Sequence, residues 1–131
     1  MSVFLHDELP VHEVPRIRTR ILVGDGSGAR ETSVWEQWID AGGFIPPHYH
    51  DVEEVLVILR GTVTLTQGDE STTVAAPATI LIPAKEVHAL RPAGQSQVHL
   101  LAMFPTAKPT IIAPGGKPRP LPWADFGRTG E

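Results

Sequence analysis

"PPHYHDVEEVLVILRG", residues 46–61, sets two histidines one residue apart between a Pro-Pro pair and a nearly unbroken apolar run. Residues two apart in an extended strand project to the same face, so His48 and His50 point together. Glu54 keeps their parity if the chain stays near extended through Asp51, Val52 and Glu53. A carboxylate buried alone at the edge of an apolar strand costs several kcal/mol or takes up a proton. A divalent cation removes that cost, because it is a partner for both imidazoles and the carboxylate at once. Glu53 has the wrong parity and is the weaker alternative to Glu54. A fourth ligand should come from another strand. His88, in "TILIPAKEVHAL", follows a Pro-bounded turn, and His99, in "QVHLLAMF", is its rival. His6 and His12 lie in a polar N-terminal segment and are assigned to the surface.

The rest of the chain repeats the strand signature. "RIRTRILVG" and "SVWEQWID" alternate large apolar and polar residues, as half-buried strands do. "EVLVILR", "GTVTLTQ", "STTVAA", "TILIP", "VHALRP" and "VHLLAMF" follow at short intervals. They are separated by the turn-forming stretches "GDGSG", "AGGFIPP", "QGDE" and "PAGQS". Gly68-Asp69 tolerates the positive φ of a tight hairpin turn. No segment keeps helical spacing beyond about two turns, and the thirteen prolines would break most candidate helices. The pattern is all-β, a sandwich or small barrel. Three parts are expected: an N-terminal segment over 1–15, a barrel over 16–105 and a Pro-rich C-terminal arm over 106–131. The recurrent prolines of that arm exclude a central strand.

The chain's 131 residues suffice for one domain with one core. A net charge of -4 without a basic block argues against a nucleic-acid surface. The absence of cysteine excludes disulfides and thiolate metal sites. The longest strongly apolar run, Val55 to Leu59, is too short to span a bilayer. "MSVFLHDELP" lacks a basic start and an apolar signal core, so a cytoplasmic protein is expected. "GDGSG" lacks the lysine and following helix of a phosphate loop.

These residues resemble the cupin superfamily, small β-barrels of jelly-roll (double-stranded β-helix) topology. Its first motif runs glycine, five residues, His-x-His, three residues, glutamate, six residues, glycine. Here Gly42, "GFIPP", His48-Tyr49-His50, "DVE", Glu54, "VLVILR" and Gly61 fit at every position. The second motif runs glycine, five residues, Pro-x-Gly, two residues, histidine, three residues, asparagine. Pro83 and His88 match it, whereas Pro77, Lys85 and Pro92 replace the two glycines and the asparagine. Lys85 is the departure with a structural consequence, since lysine disfavours the positive φ that glycine accepts.

The resemblance implies metal ligation by His48, His50, Glu54 and His88. Three imidazoles and a carboxylate suit Fe(II), the first candidate, and also Mn, Ni, Zn or Cu. Such a centre leaves open coordination positions, which is a catalytic arrangement. Dioxygenase-like chemistry on a small oxygen-bearing substrate is the leading expectation. A Lewis-acid isomerase, cyclase or lyase on the same metal is the alternative, and a non-catalytic ligand-binding barrel is the third. The resemblance also implies that Glu54 could double as proton acceptor if it detaches from the metal. By parity Leu56 and Ile58 face inward with Glu54. Trp35, Gln37 and Ile39 are the inward set of the preceding strand because that choice buries no charge, and Gln37 could hydrogen-bond a substrate. Tyr49 is expected to pack outside the barrel, and Lys85, Arg91 and Arg60 to be solvated. Val55, Val57 and Leu59 make the opposite face apolar too, which calls for cover by the arm or, as small cupins commonly show, a two-fold homodimer.

Overall fold

The computed structural model describes residues 1–121; the last ten residues of the expected arm, 122–131, lie outside the described residues. The strands, in chain order, are β1 His12–Val14, β2 Ile17–Val23, β3 Ser33–Ile39, β4 Ile45–His48, β5 Glu54–Arg60, β6 Thr62–Gln67, β7 Glu70–Ala75, β8 Ala78–Ile82, β9 His88–Pro92, β10 Val98–Phe104, β11 Ile111–Ile112 and β12 Pro118–Arg119. A six-stranded sheet in the order β1-β2-β3-β10-β5-β8 faces a four-stranded sheet in the order β4-β9-β6-β7. Every pairing in them is antiparallel. This is the expected all-β jelly-roll barrel.

Period-two alternation decides which side chains form its core. Along β5 the buried positions are Glu54, Leu56 and Ile58, while Val55 and Val57 are half-buried and Leu59 is exposed. β10 repeats the pattern with Val98, Leu100, Ala102 and Phe104 inward. These residues join Trp35, Ile39, Val63, Leu65, Ile82 and Leu90 in one apolar cluster between the sheets. The Gly68-Asp69 pair closes the β6–β7 hairpin, with Gln67 opposite Glu70 and Gly68 at φ +59°.

Several local features differ from the expectation. "AGGFIPP" is not only a turn, because Ile45, Pro46 and Pro47 belong to β4. That strand tolerates two prolines because it is the outer strand of its sheet, where missing N–H groups break no ladder. Gly61 sits at φ +86°, and a Cβ there would lie 2.5 Å from the Gln97 carbonyl oxygen. Lys85 adopts φ +68° despite its side chain, and its N–H donates to the His50 carbonyl at 2.7 Å. The turn therefore keeps the shape that glycine would give it.

On β3 the inward set is Trp35, Gln37 and Ile39, yet that choice does bury a charge. Glu36, on the opposite face, is only 7% exposed. Arg20 donates from Nε (3.0 Å) and Nη2 (2.9 Å) to Glu36 Oε1, and His99 Nε2 lies 2.8 Å from Oε2. Trp38 stacks on His99 with Arg18 and Arg20 over its ring. Burial pushes the Glu36 carboxyl up, but the hydrogen bonds from His99 and Arg20 outweigh it and leave it below its ordinary value.

The segment after β10 packs against the same barrel. Ile112 bridges to Tyr49 through paired main-chain hydrogen bonds of 2.9 Å, β11 pairs with β12, and Leu121 packs on the core.

Candidate metal centre

His48 closes β4, Glu54 opens β5 and His88 opens β9, with His50 in the link between the first two. His48 and His88 are cross-strand partners in the four-stranded sheet. Glu54 arrives from the six-stranded sheet, so the cluster joins the two layers. The chain bends at Asp51 and Val52 rather than staying extended. Glu54 thus meets the histidines by crossing between sheets, and strand parity carries only the His48/His50 half of the expectation.

One ligand atom from each of His48, His50, Glu54 and His88 lies within 4.8 Å of the other three, and all four residues are buried. Glu54 Oε1 is 3.1 Å from His88 Nε2 and 3.5 Å from His50 Nε2. His48 Nδ1 faces the Pro46 carbonyl at 2.8 Å, His50 Nδ1 the Thr110 carbonyl at 2.6 Å, and His88 Nδ1 the Glu86 carbonyl at 2.8 Å. A carbonyl only accepts, so each Nδ1 carries a hydrogen and each ring turns its Nε2 into the cluster. Three Nε2 atoms and a carboxylate oxygen then converge; His88 Nε2 donates to Glu54 Oε1, and a cation would take that proton's place. A cation fits that donor set, and the outer hydrogen bonds are those that orient metal-ligating imidazoles.

Electrostatics agree with the geometry. Burial and the neighbouring His88 pull His48 down to about 4, so its lone pair is free at neutral pH. Burial alone would raise Glu54, but hydrogen bonds with His50 and His88 hold its carboxyl at about 2. Burial also pulls His88 down, yet the hydrogen bond and charge of Glu54 leave it raised.

The rivals are elsewhere. His99 is on the outer face against Glu36, and Glu53 is exposed. His6 is exposed, as expected, but His12 is half-buried and lines the cavity beside the cluster.

That cavity, of about 370 Å3, is walled by Ile17, Trp35, Phe44, Ile45, Leu56 and Leu90 together with Gln37 and Thr19. Gln37 Nε2 donates to Thr19 Oγ1 at 3.1 Å, which leaves its carbonyl oxygen for a ligand. Ile58, expected at the pocket, is fully buried in the closed core and does not reach it. Lys85 and Arg91 are exposed and do not line it either. The cation that does is Arg119 of β12. Thr19 shares the inward parity of its strand and was in principle legible. His12 lies in a three-residue strand, too short for alternation to register, and no spacing announces Arg119.

A jelly-roll barrel with a buried three-histidine, one-carboxylate cluster defines a structural class, the double-stranded β-helix barrels with an internal His/Glu cluster. The cupin domain family model matches residues 35–104, so the chain belongs to the cupin family. No curated protein matches it. Among solved structures, the polyketide cyclase RemF from Streptomyces resistomycificus superposes with a TM-score of 0.73 at 22% identity, covering 83% of this chain and 81% of that one. KdgF from Halomonas sp. gives 0.67 at 17% identity, covering 79% and 94%. Oxalate decarboxylase from Lactobacillus farciminis gives 0.72 at 19%, covering 82% of this chain and 34% of that one. At these identities the likeness is one of fold. Among the described residues no helix is long and apolar enough to cross a membrane.

Proposed function

We propose that His48, His50, Glu54 and His88 hold one divalent transition metal ion, and that the barrel is an enzyme acting on a small oxygen-bearing organic substrate. The observation that carries this is the convergence of three Nε2 atoms and one carboxylate oxygen, with every Nδ1–H committed to a main-chain carbonyl. The bound ion, Fe(II) first among candidates and Mn, Ni, Zn or Cu after it, supplies a Lewis acid and, as iron, a site for dioxygen chemistry. The chain's residues supply the rest. Trp35, Leu56 and Leu90 exclude water and hold an apolar substrate body. The Gln37 carbonyl accepts a hydrogen bond from a substrate hydroxyl, and Glu54 would take up a substrate proton once it detaches from the ion.

Oxygenation of a substrate with adjacent oxygens is the leading reaction. A Lewis-acid isomerisation, cyclisation or elimination is the second reading. It is favoured by the Glu54 carboxylate lining the cavity and by the fold shared with a polyketide cyclase. Oxygen uptake by the iron-loaded protein over a panel of diketones and phenolic acids tests the first reading. Uptake that disappears in His48→Ala supports it. Conversion of a substrate without uptake moves the reaction to the second, and tight binding without conversion to a sensor or storage role.

The protein is further proposed to be a cytoplasmic two-fold homodimer. Val55 and Val57 are half-buried and Leu59 and Leu81 exposed on the outer face of the six-stranded sheet, which a second copy would cover.

A further inference from the structure

The polar groups lining the cavity are the buried cluster, the Gln37–Thr19 pair, and the half-buried His12 and Arg119 of β1 and β12. The remaining lining side chains are apolar. Arg119 is the one of these polar groups left without a role. Its position is fixed twice, by pairing of Arg119 with Ile111 and by Nη2 donating to the Pro47 carbonyl at 3.2 Å. Among the described residues no carboxylate lies within 4.0 Å of its guanidinium. The other half-buried arginine among the described residues, Arg20, is paired with Glu36. A guanidinium offers five donors, and one placed against an apolar wall gains most from an anion presented in its own plane. Arg119 also lies beyond the family match over 35–104.

We infer that Arg119 is a specificity-determining residue that anchors the carboxylate of a small amphipathic acid, whose apolar body lies between Trp35, Phe44 and Ile111. This rests on the proposed function above only in placing the acid's far end, with its oxygen atoms, toward the His48/His50/Glu54/His88 cluster. A cavity of about 370 Å3 is at the small end of the roughly 300–1,000 Å3 typical of ligand sites, so the acid is small. A single arginine without a glycine-rich loop suits a carboxylate better than a phosphate.

The test uses the full-length protein freed of metal by chelator, so that a carboxylate has no ion to bind. 4-Phenylbutyrate, its neutral amide and phenyl phosphate are titrated by calorimetry. The acid should bind about tenfold or more tighter than the amide, the yield of one charge-assisted pair. Arg119→Gln should abolish that preference, and Arg119→Lys should retain part of it. Lys117→Gln, which removes an exposed charge from the same hairpin, should leave it intact. Thermal melts of each variant separate lost anchoring from lost folding. Equal binding of acid and amide, no binding of either at millimolar concentration, or a preference that survives Arg119→Gln overturns the inference. A stronger response to phenyl phosphate overturns the carboxylate assignment. The metal reading fails separately: a protein that takes up no ion yet prefers the acid through Arg119 refutes that reading and leaves this one standing.

Discussion

Glu54→Gln is the substitution whose effect follows most directly from the cluster. The change keeps the side chain's size and removes the only negative charge among four buried groups. Glu54 is 6% exposed, so solvent screens that charge little. A carboxylate and a divalent ion about 4 Å apart at an effective dielectric constant of about 20 attract by about 8 kcal/mol, of which the carboxylate's desolvation offsets about half. Each 1.4 kcal/mol is about tenfold in affinity, so the net loss is about a thousandfold before any water fills the vacated position. With that replacement, a weakening of about a hundred- to a thousandfold is expected. Glu53→Gln removes the same charge one residue away, from an exposed side chain outside the cluster, and should change affinity by no more than about twofold. The assay is competition for zinc against a chromogenic chelator at neutral pH, with wild type and both variants side by side. Equal weakening in the two variants, or wild-type affinity in Glu54→Gln, would refute the reasoning.

Glu36→Gln should lower stability by about 2 kcal/mol at neutral pH, because the Arg20 guanidinium loses its counter-charge and the hydrogen bonds to Arg20 and His99 weaken. The folded-state carboxyl lies below its ordinary value of 4.5, so this contribution is complete above that pH and fades as pH falls through the lower folded value. Urea unfolding at several pH values checks both parts, and a difference that stays constant down to the acid limit contradicts them. Gly61→Ala should cost about 2–4 kcal/mol, combining left-handed backbone strain with the contact to Gln97, whereas Gly68→Ala, with nothing within 4 Å, should cost about 1–2. Equal urea midpoints for the two would sink that comparison. Light scattering should give a dimer for wild type and a monomer for Leu81→Glu; a wild-type monomer removes the proposed interface.

The fold was legible because alternation is a local property. "EVLVILR" and "VHLLAMF" each show inward and outward sets without reference to any partner, and both sets are where the pattern puts them. The four cluster residues were legible through the family motif, but the sequence alone left His88 and His99 equal. What separates them is register: His88 faces His48 across β4 and β9, while His99 faces outward beside Trp38. Register between distant strands depends on turns and bulges along the whole sheet, and no spacing within one strand reports it. Glu36 was illegible for a related reason. Its burial depends on Arg20 from β2 and His99 from β10, so charge alone could not place it. Pro46 and Pro47 read as punctuation because the outer position of β4 is a property of the assembled sheet.

The central claim, that these four residues hold a metal ion, is tested most directly by elemental analysis. The untagged protein, purified without chelator, is measured by plasma mass spectrometry beside His88→Ala and His99→Ala. Close to one equivalent of a divalent transition metal in wild type and His99→Ala, with little in His88→Ala, is the predicted result. No metal in wild type even after each ion is added back, or loss in His99→Ala with retention in His88→Ala, contradicts the account.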